Sequence, residues 1–469
     1  MKTIKLFFSN AIHAIKGIFS NLKDWKLILV LTIPTIAAIY FASTVAISCD
    51  ESVTFFNYAK RPLEKCMVRY PEPGNHILNS ILIWFSNRLP ITDILYKIRL
   101  PSVIFSFFTW LVAYSFIKKN WGEKSALFVV AIYPILFMSV YYSYMARGYA
   151  LLILMFIISL HSIYNIIKYG GQRKDWMFFT VASVLGFYTM PSFLYPFITL
   201  NIIILVYDHK LFKPLFRYDC YIAISAILLY SPILFNDGIG ALANNQYVTP
   251  KSRFWVLENL LPFANETISF MFGFPAIIIA ILIILTVFFV IKQHNNTLIK
   301  VWFICLFTPF ILLFIHSVIP FPRTFSYYGF LFIFLFVVSF REYIGRITYK
   351  WLLFFVIAIQ IAGFINFKTN IKEAETFNTY NIEITDHVLQ ENKSYYVLSF
   401  GNHPTFRFEV ERRKLDVNVF YDDYYYNDKR ASADTINNYD YIIIDTERDD
   451  TKIKKPIYSN VWQRVYGKE

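Results

Sequence analysis

For most of its length the chain alternates long apolar runs with short polar turns, and then the pattern stops. The first run covers residues 27–47, about twenty mostly apolar positions, enough to cross a hydrocarbon core of about 30 Å. Further runs recur at roughly 99–117, 124–142, 148–167, 176–190, 191–207, 218–235, 268–291, 300–318, 324–340 and 350–366. The pattern therefore predicts about eleven transmembrane helices within residues 27–366. Residues 1–26 read as an amphipathic helix, with Ile4, Phe7, Ile12, Ile15 and Phe19 set against Lys2, Lys5, Lys16, Lys23 and Lys26. Such a helix suits the cytoplasmic surface of anionic lipid. Residues 48–98 form a polar outer loop whose stretch 77–85 predicts an interfacial helix over a cavity. From residue 367 the chain turns polar and charged. Short runs there, Tyr395-Tyr396-Val397-Leu398 and Tyr441-Ile442-Ile443-Ile444, predict a small α/β domain over 367–469. No heptads, low-complexity tract or internal repeat is evident.

Composition narrows the class. Of 469 residues, 56% are hydrophobic and 20% aromatic, including 49 Phe and 34 Tyr, which suits a lipid-facing surface with aromatic belts. The net charge of +13 reads as membrane topology, because the basic residues lie scattered in short turns and form no block for nucleic acid. No cleavable signal peptide is read. An N-terminus inside places Lys118-Lys119 and the turns at 168–174, 209–217, 292–300 and 341–350 in the cytoplasm. The 48–98 loop, the 236–269 loop and, after an odd number of spans, the C-terminal domain then face outward. Cys49 and Cys66 share that first loop and could bridge in an oxidising compartment; Cys220 and Cys305 sit in apolar runs.

The candidate chemistry lies on the outward side. Ser48-Cys49-Asp50-Glu51 stands where the first run ends. Two adjacent carboxylates at a membrane lip need bulk water or a cavity with partners, so they mark either a plain helix end or a catalytic pair. Asn75-His76, Arg147 in Tyr144-Met145-Ala146-Arg147-Gly148-Tyr149 and Arg323 in Pro320-Phe321-Pro322-Arg323-Thr324 share that side. Each has a bland alternative, a structural hydrogen bond for the histidine and an interface anchor for the arginines. Lys97, Arg99 and Tyr149 could line the cavity or mark the interface. Two acids, one imidazole and two guanidiniums suit a reaction in which a phosphate leaves and a hydroxyl or amine attacks. Asp422-Asp423 and Asp449-Asp450 read as a solvated acidic face rather than a metal site. No P-loop, dinucleotide fingerprint, zinc spacing or nucleophile elbow is present.

These pieces together resemble the C-type, multi-pass glycosyltransferases that use polyprenyl-phosphate sugars, in the branch of the aminoarabinose transferases and protein O-mannosyltransferases. The resemblance rests on Asp50-Glu51 after the first span, Asn75-His76-Ile77-Leu78-Asn79, Arg99-Leu100-Pro101-Ser102 and Ala146-Arg147-Gly148-Tyr149-Ala150. It implies an inverting transferase taking a sugar from a polyprenyl-phosphate donor to a lipid, glycan or protein acceptor, outside the cytoplasm. The multi-pass setting would be a bacterial inner membrane. By the same resemblance Asp50 is the catalytic base supported by Glu51, while His76, Arg147 and Arg323 hold the donor phosphate. No cofactor is required, although a divalent metal could bind. Two departures stand out: His76 is followed by Ile77-Leu78 rather than prolines, and Met145 stands where relatives often carry an acid. The rival readings are a transporter or flippase of a lipid-linked sugar, and an anchored binding protein acting through its C-terminal domain.

Overall fold

The computed structural model describes residues 2–70, 74–243, 249–374, 376–399, 402–421, 438–449 and 455–467. Helix α1 (Lys2–Ser20) turns Phe8, Ile12, Ile15 and Phe19 outward in one exposed stripe, the spacing of a single helical face. Asp24 then caps α2 (Trp25–Thr44), its carboxylate accepting from the Lys26 N–H. The short α3 (Cys49–Thr54) and α4 (Ile77–Ser86) belong to the first loop. The membrane bundle continues with α5 (Ile94–Trp121), α6 (Glu123–Ile132), α7 (Phe137–Tyr144), α8 (Tyr149–Tyr169), α9 (Arg173–Thr189), α10 (Leu194–Tyr207) and α11 (Phe212–Asn236). It ends with α12 (Arg253–Phe272), α13 (Ala276–Lys292), α14 (Asn296–His316), α15 (Tyr327–Ser339) and α16 (Tyr349–Ala374).

Every apolar run of the sequence is helical, but the described residues do not yield eleven straight spans. Seven helices are long and apolar enough to cross a membrane, and two more pass only as pairs bent by 74° and 89°. Those pairs are Glu123–Ile135 with Phe137–Tyr144, and Arg253–Phe272 with Ala276–Lys292. Tyr133-Pro134-Ile135 forms a 3-10 turn at the first break, and Gly273-Phe274-Pro275 separates the second pair. Proline lacks the amide that would continue the ladder. The remaining runs, Arg173–Thr189 and Pro191–Tyr207, are 17 residues or shorter. The chain is a multi-pass membrane protein.

Past the bundle, α17 (Thr376–Val388) leads into a five-stranded sheet with α18 (Asn402–Arg413) packed beside it. Its strands are β1 (Ser394–Leu398), β2 (Asn418–Tyr421), β3 (Tyr441–Asp445), β4 (Tyr458–Ser459) and β5 (Gln463–Gly467), in the order β2-β1-β3-β5-β4. β1 runs parallel to β2 and β3, while β5 is antiparallel to β3 and β4. Both faces of the central strands are covered, which is why β1 and β3 read as unbroken apolar runs. Tyr395, Val397 and Ile443 pack against Ile384 and Phe406 of the helices, and Tyr396, Ile442 and Ile444 fill the other face.

This domain is joined to the first loop. Phe408 of α18 is fully buried in a small core with Ile47, Phe55, Phe56, Ile83, Leu95, Ile98 and Ala146. Its ring meets Phe55 edge-on at 5.3 Å, and Arg407 lies over the Phe56 ring at 4.2 Å. Lys60 pairs with Glu411, Arg412 pairs with Asp93 at 3.3 Å, and the Cys49 N–H donates to Asn378 Oδ1 at 3.2 Å. Cys49 and Cys66 do not bridge, and Cys66 is buried with Sγ against the Tyr58 carbonyl. Burial pushes the Cys66 thiol up to about 11.

Candidate active site

The site is assembled from chain turns that meet at one end of the bundle. Ser48 opens α3 with a capping box: its hydroxyl accepts from the Glu51 N–H at 3.2 Å, while Glu51 accepts from the Ser48 N–H at 3.0 Å. This fixes the direction in which Asp50 leaves the helix. Glu51 also accepts two bonds from Arg99, Nε to Oε1 and Nη2 to Oε2, each 2.8 Å, and one from the Ala146 N–H at 2.7 Å. Arg99 in turn donates to the carbonyls of Val45 at 2.7 Å and Ala46 at 2.9 Å, closing the C-terminal end of α2. Ser102 donates its hydroxyl to the Met145 carbonyl and so holds the turn that precedes Arg147. The first-loop acids, the Arg99–Ser102 stretch and the Ala146–Gly148 turn are thus one hydrogen-bonded unit.

On this frame Asp50 is left facing two arginines. Its Oδ2 lies 3.6 Å from Arg147 Nη2 and 3.4 Å from Arg323 Nη1, and its side chain is 44% exposed. Arg147 is nearly buried, donating through Nη1 to Thr54 Oγ1 at 3.1 Å and the Gly74 carbonyl at 2.9 Å. Its Nε–H is buried with no acceptor among the described residues. Arg323 comes from the 3-10 turn Pro322–Phe325, and its guanidinium rests on the Phe321 ring at 4.3 Å. The surrounding low-dielectric wall pushes the Asp50 carboxyl up, but the two guanidiniums outweigh it and hold it below its ordinary value. Burial likewise opposes ionisation of Glu51, and Arg99 with the Ala146 and Ser48 amides overcomes it.

His76 has a defined tautomer. The Gly148 N–H donates to Nδ1 at 2.8 Å, so a neutral ring carries its proton on Nε2. Burial drives the ring's pKa well below its ordinary value, and the positive charges of Arg147 and Arg323 drive it further. Nε2–H then faces Arg147 Nη2 at 3.3 Å, a donor against a donor. Gly148 permits this approach, because a Cβ there would stand 2.9 Å from His76 Cβ and 2.8 Å from Thr189 Cγ2. Tyr149 closes the other side, its ring 5.2 Å from the imidazole and 4.0 Å from Tyr142.

Four sequence candidates occupy other positions. Glu51 is fully buried, with both its carboxylate oxygens engaged by Arg99. Arg99 is equally buried, its guanidinium spent on Glu51 and the carbonyls at the end of α2. Asn75 is consumed in holding the loop, donating to the carbonyls of Cys66 and Arg69 at 2.9 Å each and accepting from Ser80 at 2.8 Å. Lys97 is half-buried on α5 and enters none of these contacts. Sequence reading missed Thr54, Gly148 and the C-terminal residues Asn378, Arg407 and Phe408. The Ser-x-x-Glu spacing of Ser48 and Glu51 was a legible capping signal. Asp449 pairs with Arg464 at 2.8 Å; Asp422, Asp423 and Asp450 lie outside the described residues. Among the described residues no group of three His, Cys, Asp or Glu side chains converges as a metal site.

A polytopic helical bundle with its ionic cluster at one end and a small α/β domain seated on that end is a defined class of membrane architecture. No protein-family model matches the sequence, nor does any curated protein. Solved structures do match. ArnT from Cupriavidus metallidurans bound to undecaprenyl phosphate superposes with a TM-score of 0.60 at 10% identity, covering 94% of this chain and 99% of that one. The same protein in the apo state gives 0.61 at 10% identity, covering 96% and 99%. The fold is therefore that of ArnT, an aminoarabinose transferase of the C-type glycosyltransferase class, over nearly the whole chain.

Proposed function

We propose that this protein is a membrane glycosyltransferase that takes a sugar from a polyprenyl-phosphate carrier and passes it, with inversion, to a hydroxyl or amine acceptor. The observation that carries this reading is the surplus of donors around Asp50. Arg147 Nε–H is buried without an acceptor among the described residues, and Arg147 Nη2 faces the His76 Nε2–H. A phosphate oxygen is the group that satisfies both at once. The undecaprenyl phosphate bound to ArnT, a protein of the same fold, supports that choice.

Charge follows the same logic. Arg147, Arg323 and Asp50 sum to one positive charge, which a donor phosphodiester neutralises. When the phosphate engages the arginines, their pull on Asp50 weakens and its carboxylate becomes a stronger base. Asp50 accepts the acceptor's proton as oxygen or nitrogen attacks the anomeric carbon. The bond from that carbon to the phosphate oxygen breaks, and polyprenyl phosphate leaves with a further negative charge that Arg147, Arg323 and His76 Nε2–H stabilise. No cofactor enters the scheme. The distribution of basic turns supports an extracytoplasmic site and C-terminal domain, and the proposed setting is a bacterial inner membrane.

The test is release of polyprenyl phosphate from labelled polyprenyl-phosphate sugars by purified protein given candidate acceptors. Turnover by wild type that collapses in Asp50→Asn while donor still binds supports the scheme. Normal turnover by Asp50→Asn overturns the base assignment. A flippase would move the donor intact and release no carrier.

A further inference from the structure

A second chemical environment lies at the other end of the bundle. A cavity of about 680 Å³ opens there between α5, α8, α10, α14 and α15. That volume is within the range of about 300–1,000 Å³ typical of ligand sites. Three helices place it far from Asp50. On α5, Arg99 belongs to the active-site frame and Phe116 to the cavity wall, roughly 25 Å further along. On α8, Tyr149 touches His76 while Lys168 stands on the cavity rim, roughly 28 Å away. The turn before α15 carries Arg323, and Arg341 follows its far end.

Its lining is divided. Phe116, Trp121, Leu160, Ile163, Phe334 and Leu335 make an apolar interior, while Lys168, Arg341, Gln293 and Asn295 are polar groups of the rim. Glu342 is the acid among the lining residues, and the two cations outnumber it. Lys168 is itself held in place, its ammonium 5.2 Å above both the Tyr164 and Tyr169 rings and 3.3 Å from Asn120 Oδ1. An apolar slot whose lining also carries two cations, at the basic end of the bundle, matches one chemistry: a hydrocarbon chain carrying an anionic headgroup.

We propose that this cavity is a binding site for an acidic phospholipid, with one acyl chain between α8, α10, α14 and α15 and the phosphate between Lys168 and Arg341. The site is separate from the transferase centre and stands whether or not that reading does. The lipid would come from the leaflet that the basic turns face.

The test is native mass spectrometry of the full chain, delipidated in detergent and titrated with phosphatidylglycerol or phosphatidylcholine. Wild type should retain a single phosphatidylglycerol and prefer it over phosphatidylcholine by roughly tenfold or more. Val338 on α15 also lines the slot, and Val338→Trp, which fills it, should abolish retention. The double variant Lys168→Ala/Arg341→Ala, which changes only exposed side chains, should keep the fold and lose the headgroup preference. Equal retention of the two lipids by wild type, or an unchanged preference in the double variant, would overturn the proposal. The double variant decides the matter if Val338→Trp does not fold.

Discussion

Glu51 and Arg99 face each other fork to fork, with two bonds of 2.8 Å between side chains that are both wholly buried. Each is also bonded to backbone from another segment, Arg99 to the end of α2 and Glu51 to the Ala146 turn. Neighbouring carboxylates in one helical turn have therefore separated their work, Glu51 holding the frame and Asp50 meeting the arginines.

That division predicts opposite phenotypes. Glu51→Gln leaves the Arg99 charge buried without its partner, a loss of roughly 3–5 kcal/mol. It should show as lower yield and a lower melting temperature in detergent. A stable Glu51→Gln protein with lost turnover would instead make Glu51 part of the chemistry.

Asp50→Asn should lower turnover by about 10²–10⁴-fold, the usual contribution of a positioned base. Its two arginines are then released from their carboxylate, so donor affinity should hold or rise. Equilibrium binding of the labelled donor separates the two effects.

His76 gives a pH signature. Its folded pKa lies well below the ordinary value of about 6.5. As pH falls past 6.5 the unfolded chain takes a proton that the folded chain refuses, so this group lowers stability by up to about 1.4 kcal/mol per pH unit until the depressed folded value is reached. His76→Gln removes that slope. The stability gap between wild type and His76→Gln should narrow from about pH 7 to about pH 5. A constant gap would mean that folding leaves the ring's affinity for protons unchanged, and a widening gap that the folded ring is already charged.

Gly148→Ala introduces a methyl group against His76 and Thr189. Overpacking of this kind costs about 1–3 kcal/mol, and here it displaces the imidazole whose orientation the Gly148 amide sets. The expected result is a raised KM for donor with a smaller change in kcat, read from steady-state kinetics.

Phe408→Ala should destabilise by roughly 3–5 kcal/mol as a buried aromatic truncation. Lys60→Ala, at an exposed ion pair, should cost about 0–1 kcal/mol. Melting temperatures of the two variants check the ranking. If Phe408→Ala is as mild as Lys60→Ala, the C-terminal domain merely rests on the loop.

The apolar runs made the helices legible, because burial in lipid imposes a pattern that no distant contact can disguise. Span count was less legible: the breaks at Tyr133–Ile135 and after Phe272 bend two runs that read as continuous. Asp50, His76, Arg147 and Arg323 could be picked out because charge at a membrane lip demands a partner. Glu51 and Asn75 looked similar, and only their hydrogen bonds reveal their structural work. Phe408 gave no sign at all. It is one phenylalanine among many, and its importance arises from a tertiary contact some 350 residues distant in sequence.

That distance has a consequence for biosynthesis. The loop carrying Asp50 leaves the ribosome well before Phe408 and Asn378, which pack and bond against it. At roughly 5–20 residues per second, about 20–70 s separate the two events. Through that interval the nascent bundle sits in the membrane with Asp50 on an unfinished support. A ribosome that stalls between the two leaves a first loop without its Phe408 and Asn378 contacts.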